Sequence, residues 1–308
     1  MSETTKNNLE EMVSNLFFSC FQTYPQEMER CSIGIGNLVY IVKCADAMYV
    51  LRCSQEDSYV DTIHWLQELR KLDVPVPEVL HHGICEEYHY LILSYLPGKD
   101  IGVVYNDLSK AHKQTIAKDV MQIQRRVKDL PMSHIEDGWS WVQIVDELLD
   151  RAVDRISENG YFDVEKVQKV RSLKGYFEAY FAGIKPVAYL DDISTKNLLI
   201  QDGNVSGVID VDWMGEGDDL TFIAMTYVAL LNMECETDYV DYLLEERDCS
   251  AVERKAFLFY SLMYCVDFMG ERGMQFGDKK VEVNEEIVGR LNWIYEMLWE
   301  RWEGENRK

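Results

Sequence analysis

No run of eighteen apolar residues occurs in the chain, which argues against a membrane-spanning helix. The opening Met1-Ser-Glu-Thr-Thr-Lys-Asn-Asn8 lacks the basic-then-apolar order of a signal peptide, so a cytoplasmic location is expected. Cysteine is present without a pattern. None of Cys20, Cys31, Cys44, Cys53, Cys85, Cys235, Cys249 and Cys265 makes a C-x-x-C pair or joins histidine at zinc spacing, and free buried thiols are expected. Positive charge is scarce: 31 Lys and Arg face 54 Asp and Glu, a net charge of −23. That balance repels nucleic acid and anionic membranes and draws in cations, although for most of the carboxylates it means only solubility. A complete G-x-G-x-x-G or Walker A phosphate loop is missing, as are internal repeats and low-complexity linkers.

Core-forming residues are plentiful. Hydrophobic residues are 47% and aromatics 12% of 308, which excludes disorder and suits two lobes or one large domain. Leu9, Met12, Val13, Leu16, Phe17, Cys20 and Phe21 fall at helical spacing behind an Asn8-x-x-Glu11 start. Strand-like runs follow from Leu38 to Cys44 and from Met48 to Cys53, with a turn at Ala45-Asp46-Ala47, and a later one from Tyr88 ends at Pro97-Gly98. Between them Tyr59, Ile63, Leu66 and Leu69 read as a helix closed off by Pro75 and Pro77. From Ser109 the period turns helical, with Ile116, Val120, Ile123, Val127 and Leu130 on one stripe. Further helices are expected around Trp141 to Ile156, Val164 to Phe181, Phe222 to Met233, Glu253 to Met269 and Val283 to Trp302. A β-rich first hundred residues and a helical remainder holding one β-hairpin make the class α+β.

That hairpin organises the chemistry. Leu198 to Ile200 and Val205 to Ile209 flank Asp202-Gly203-Asn204, a strong tight-turn signal. The turn would set Asp192 and Asn197 just before the first strand and Asp210 just after the second, so three polar side chains separated in sequence converge. An Asp-Asp pair beside Ser, Thr or Asn is by itself ordinary turn chemistry. Here the pair comes with an Asp192-x4-Asn197 interval, a hairpin and Val208-Ile209-Asp210, the spacing of a kinase catalytic loop.

The block resembles the core motif of the aminoglycoside phosphotransferase-like family of the protein-kinase-like fold, usually H-G-D-x-x-x-x-N-x-L, then V-I-D-[WF], then G-D-P. This chain reads Leu190-Asp191-Asp192-Ile-Ser-Thr-Lys-Asn197-Leu-Leu, then Val208-Ile209-Asp210-Val211, then Gly217-Asp218-Asp219. Leu190 replaces the His, Asp191 the Gly and Asp219 the Pro; the family's His supports the loop backbone, a part Leu190 does not supply. The resemblance implies a two-lobed fold, with residues 1–97 as a nucleotide-binding lobe and 98–308 as a catalytic and substrate-binding lobe. It implies Asp192 as the base for the acceptor hydroxyl, Asn197 and Asp210 as ligands of Mg2+, and ATP or GTP as donor. Gly34 and Gly36, in the turn from Ser32 to Asn37, would cover the phosphates, although two glycines equally suit a plain β-turn. Arg52 would offer the phosphates a cation. The family's helix acid for that cation falls near Thr62, so Asp61 or Glu56 stands in for it or no such pair exists. Backbone groups of Ser94, Tyr95 and Leu96 would bond a purine edge.

On the acceptor side the resemblance implies a carboxylate-lined pocket for a cationic polyamine sugar. Glu234, Glu236, Asp267 and Glu271 are the candidates for its wall, whereas Asp241 to Asp248 reads as a solvated face. The expected activity is transfer of the γ-phosphoryl of a nucleoside triphosphate to a hydroxyl of a small, cationic, aminoglycoside-like acceptor, without nucleic acid or membrane as partner. Trp213, Tyr227, Tyr264 and Trp293 keep a macrolide acceptor open; choline, homoserine or a sugar, or a silent nucleotide-binding pseudokinase, are the remaining alternatives.

Overall fold

The structure, a computed structural model, describes residues 3–31, 38–131, 140–193, 195–212, 214–276 and 279–306. Gly34, Gly36 and Trp213 therefore lie outside the described residues. The chain divides into two compact units, Met1–Pro97 and Gly98–Lys308.

The first unit is a five-stranded antiparallel sheet flanked by helices. Its strands β1 (Glu27–Cys31), β2 (Leu38–Cys44), β3 (Ala47–Ser54), β4 (Val79–Cys85) and β5 (Tyr88–Ser94) run in the order β1-β2-β3-β5-β4. Strand periodicity sends alternate side chains to opposite faces. Tyr40, Val42 and Cys44 of β2 and Leu51 and Cys53 of β3 thus form one core with Met12, Val13, Leu16 and Phe17 of helix α1 (Glu3–Phe21). Burial of each large apolar side chain in it contributes about 1.5–3 kcal/mol. Arg52, between Leu51 and Cys53, takes the opposite parity, with its guanidinium 5.2 Å from the centre of the Tyr59 ring at the start of α2 (Val60–Lys71).

The second unit opens with β6 (Lys99–Asp100), the short helix α3 (Ile101–Val104) and α4 (Lys110–Val127), which Ser109 caps by accepting from the His112 amide at 3.2 Å. Helix α5 (Trp141–Asn159) follows. The expected helix from Val164 to Phe181 is instead α6 (Glu165–Ser172), a 3-10 stretch Leu173–Phe177 and α7 (Glu178–Gly183). Gly175, a poor helix former, sits in the break. Strand β7 (Val187–Tyr189) leads to the hairpin of β8 (Leu198–Gln201) and β9 (Asn204–Val208), and β10 (Gly215–Gly217) returns to pair antiparallel with β7. Asp202 and Gly203 both take positive φ, 51° and 77°, the two-residue turn that matches strand twist.

Helices α8 (Leu220–Asn232), α9 (Asp238–Arg247) and α10 (Ala251–Glu271) complete the core with α11 (Glu285–Asn306), after a small hairpin of β11 (Gln275–Phe276) and β12 (Lys279–Lys280). Helix α9 departs from the sequence reading: Tyr239, Val240, Tyr242, Leu243 and Leu244 are buried, so 241–248 is solvated only on its acidic face. Helix α10 is buried nearly all round and starts at a capping box between Ser250 and Glu253. Among the described residues no helix is long and apolar enough to cross a membrane.

Candidate active site

Backbone geometry brings Asp192 and Asn197 together. Asn197 is buried and left-handed at φ 65°, a conformation an Asn side chain tolerates. Its Nδ2 donates to the Asp192 carbonyl at 3.0 Å and to Asp192 Oδ2 at 3.2 Å, and its own carbonyl accepts from the Ile209 amide at 2.9 Å. Asn197 therefore joins the loop before β8 to the segment after β9, one residue short of Asp210. Asp210 is left-handed as well, at φ 59°. Asp100, on the strand beside β8, fixes the loop from below: Oδ2 accepts from the Asn197 amide at 2.9 Å and Oδ1 from the Gly102 amide at 2.9 Å.

Lys196 adds the positive charge. Its Nζ lies 2.8 Å from Asp192 Oδ2, four residues back. Desolvation opposes the lysine charge, yet Asp192 by hydrogen bond, and Asp210 and Glu271 through space, outweigh it and hold its pKa above the ordinary lysine range. Both Lys196 and Asn197 thus bond the same Asp192 oxygen; Oδ1 carries no hydrogen bond among the described residues, and the side chain is 39% exposed. A carboxylate held by one oxygen and open at the other can take a proton from an incoming hydroxyl. The Asn197 amide, with its nitrogen turned to Asp192, offers its oxygen elsewhere. Together with the Asp210 carboxylate this is an oxygen donor set suited to a hard cation that shares its remaining ligands with phosphate.

Asp191 occupies the buried side of the loop. Its Oδ1 is shielded from solvent and has no hydrogen-bond partner among the described residues. Burial first, and the Asp192 charge second, push its carboxyl up to about 6.

The acceptor candidates separate. Asp267 and Glu271 sit on α10, where Asp267 is buried and meets Arg151 at 3.2 Å and Arg155 at 3.4 Å, both from α5. Burial and the neighbouring Asp267 raise the Glu271 pKa, with Arg155, Arg272 and Arg151 opposing. Glu271 also acts electrostatically on Lys196 of the loop. Glu236 instead pairs with Lys113 at 3.1 Å, and Glu234 with Arg290 at 2.8 Å. The carboxylates expected to line an acceptor pocket therefore sit beside basic side chains, Arg151 and Arg155 at Asp267, Lys113 at Glu236 and Arg290 at Glu234.

In the first unit Ser94 is taken up by its own sheet: its amide donates to the Glu78 carbonyl at 2.9 Å, and its hydroxyl accepts from the Glu78 amide at 2.8 Å. Of the segment Ser94 to Leu96 expected to contact a base, the Ser94 amide is thus engaged within the sheet. Thr62 is buried in α2, and the Arg52 guanidinium lies over the face of the Tyr59 ring.

Lys196, Asp100 and Asp191 are additions to the sequence-derived site. Lys196 stood in view inside the motif, as a cation four residues after the candidate base. Asp100 lies 97 residues from its partner Asn197 and offered no local sign.

This loop, hairpin and returning strand are those of a phosphotransferase. A profile of the phosphotransferase enzyme family matches residues 27–247, and the chain belongs to that family. No curated protein matches it by sequence. Among solved structures it is similar to a thermostable mutant of aminoglycoside phosphotransferase APH(4)-Ia in apo form, at 16% identity and a TM-score of 0.63, over 92% of this chain and 98% of that one. It is also similar to ADP-bound aminoglycoside phosphotransferase APH(2'')-Ib, at 15% identity and 0.61, over 92% and 96%. The streptomycin-ATP-APH(2")-IIa ternary complex matches at 14% identity and 0.59, over 92% and 95%. These likenesses establish the fold, an α+β protein-kinase-like architecture with a β-sheet N-terminal region and a helical C-terminal region.

Proposed function

We propose that the chain is an Mg2+-dependent O-phosphotransferase that moves the γ-phosphoryl of ATP or GTP to a hydroxyl of a small cationic acceptor of aminoglycoside type. The observation that carries this reading is the Asp192 carboxylate, bonded by Lys196 and Asn197 on one oxygen and open on the other. Asp192 orients the acceptor hydroxyl on Oδ1 and receives its proton. Lys196 and Asn197 hold the other oxygen of that carboxylate and so fix its direction. Asn197 and Asp210 would hold Mg2+, which supplies charge neutralisation at the transferring phosphoryl group. Arg52 supplies a cation to the phosphates, Gly34 and Gly36 are assigned to the same phosphates, and the backbone of Ser94, Tyr95 and Leu96 is assigned to the base. On the acceptor side Glu271 and Asp267 are the contacts we assign, with Glu234 and Glu236 adding to the field.

The neighbours that bear on the acceptor include the complex of APH(4)-Ia with ADP and hygromycin B and that of APH(2")-IIa with gentamicin. The test is a scan for nucleoside-diphosphate release with ATP and GTP against aminoglycosides, macrolides, choline and amino alcohols. Turnover confined to polyamine sugars is the expected result; turnover of a neutral alcohol instead would overturn the acceptor class. Calorimetry on Asp210→Ala tests the chemistry itself, since Mg-dependent nucleotide affinity should be lost and an unchanged affinity would remove the phosphotransferase reading.

A further inference from the structure

Strand β7 has three residues and two edges. One edge pairs with β10, Tyr189 opposite Gly215. The other faces α4, and there a side chain takes the place of a strand. Gln124, buried at 3% exposure, donates from Nε2 to the Leu190 carbonyl at 2.8 Å and accepts the Leu190 amide on Oε1 at 3.0 Å. Both backbone groups of one residue are thereby satisfied by one primary amide, the pairing a neighbouring peptide group would give. Next to it the Lys128 carbonyl, at the end of α4, accepts the Ala188 amide at 3.3 Å. The helix stripe around Gln124 is apolar, with Val120, Ile123 and Val127 buried. An amide placed there is costly unless every polar atom is bonded, and both contacts go to the residue two before Asp192.

Leu190 itself stands where related sequences carry the loop-supporting histidine, and its own side chain cannot donate. We infer that Gln124 is the positioning residue of the catalytic loop, holding the Leu190 peptide so that Asp192 enters the loop at a fixed place. The inference rests on the phosphotransferase reading for its effect on rate, but the contact is testable without it. Gln124 touches no reacting atom. Its removal would let the segment after β7 shift, and a displacement of about 1 Å at a reacting group costs up to roughly 100-fold in rate.

The experiment uses the full chain with Gln124→Met, which keeps length and volume and deletes both bonds, beside Val120→Ala as a control that destabilises the same helix. Hydrogen exchange on the apo protein should show faster exchange over 188–193 in Gln124→Met than in Val120→Ala when their melting temperatures are matched. With ATP and the best acceptor from the scan, kcat should fall roughly 10- to 100-fold in Gln124→Met, with KM for ATP changed less than about threefold, while Val120→Ala retains kcat. Equal exchange over 188–193 in the two variants, or a kcat loss shared by the control, would overturn the inference. If the wild type phosphorylates no acceptor, the phosphotransferase reading fails and the exchange comparison alone decides whether Gln124 holds the loop.

Discussion

Two Asp-Asp pairs follow the two strands β7 and β10, and the strands run antiparallel, so the pairs lie at opposite ends of one ribbon. Asp218 is saturated. Asp218 Oδ2 accepts from the hydroxyls of Tyr180 at 2.6 Å and Tyr260 at 2.8 Å, and Oδ1 accepts the Leu220 amide at 3.1 Å. Arg247 spans Asp219 at 2.8 Å and Glu253 at 2.7 Å, and Trp141 donates to the Tyr260 hydroxyl at 2.6 Å. At the other end, among the described residues, Asp191 keeps a buried oxygen without a partner and Asp192 keeps one oxygen open. Burial raises the Asp218 pKa as well, but three hydrogen-bond donors and the Arg247 charge oppose it. A carboxylate whose lone pairs are all occupied has none to offer a substrate, so Asp218 suits a structural part and the open oxygen of Asp192 suits the part proposed for it.

The contrast predicts opposite phenotypes. The largest effect is expected for Asp218→Ala, which leaves two buried tyrosine hydroxyls and part of Arg247 without their acceptor and should cost roughly 3–5 kcal/mol of stability. Denaturant unfolding would show it, while kcat per folded molecule stays near wild type; a stable but inactive variant would move Asp218 into the chemistry. Asp192→Asn should do the reverse, lowering kcat by roughly 100-fold or more, about 2.7 kcal/mol of barrier, with nucleotide affinity and melting temperature little changed. Near-normal turnover there would transfer the base to Asp191.

Asp191 itself sharpens the comparison through pH. Its carboxyl sits at about 6 in the folded chain against 3.8 ordinarily, so its protonated form favours folding at low pH and that contribution is lost as pH rises through 6. Asp191→Asn should therefore match wild type near pH 4 and be more stable at pH 8 by up to about 3 kcal/mol. Equal stability at both pH values would mean that the buried oxygen is hydrated in solution. The smallest effect separates the acceptor acids. Glu271→Gln should raise KM for a cationic acceptor by roughly 10-fold with kcat held, the signature of uniform binding, while Glu234→Gln should shift it less than about twofold. The opposite ranking in steady-state kinetics would return the pocket wall to the segment after α8.

The motif was legible because its parts are local. Turn chemistry at Asp202-Gly203, the strand runs around it and the Asp192-to-Asn197 interval each span a few residues, and backbone sterics act at that range. Helices α4, α5, α8, α10 and α11 were legible for the same reason, since a 3.6-residue period needs no partner to be seen. What the sequence left open were the pairings across distance. Gln124 reads as one polar residue beside an apolar stripe until it is found on Leu190, 66 residues on. Glu234 and Glu236 read as free carboxylates until Arg290 and Lys113 meet them. By itself, then, the sequence determined the hairpin, the positions of Asp192, Asn197 and Asp210 at its ends and the α+β class, all set by local backbone preference and hydrophobic period. Only the tertiary structure decided which carboxylates are neutralised, which are buried short of a partner and what supports the loop where histidine is missing, because charge balance and hydrogen-bond satisfaction depend on neighbours that chain order does not specify.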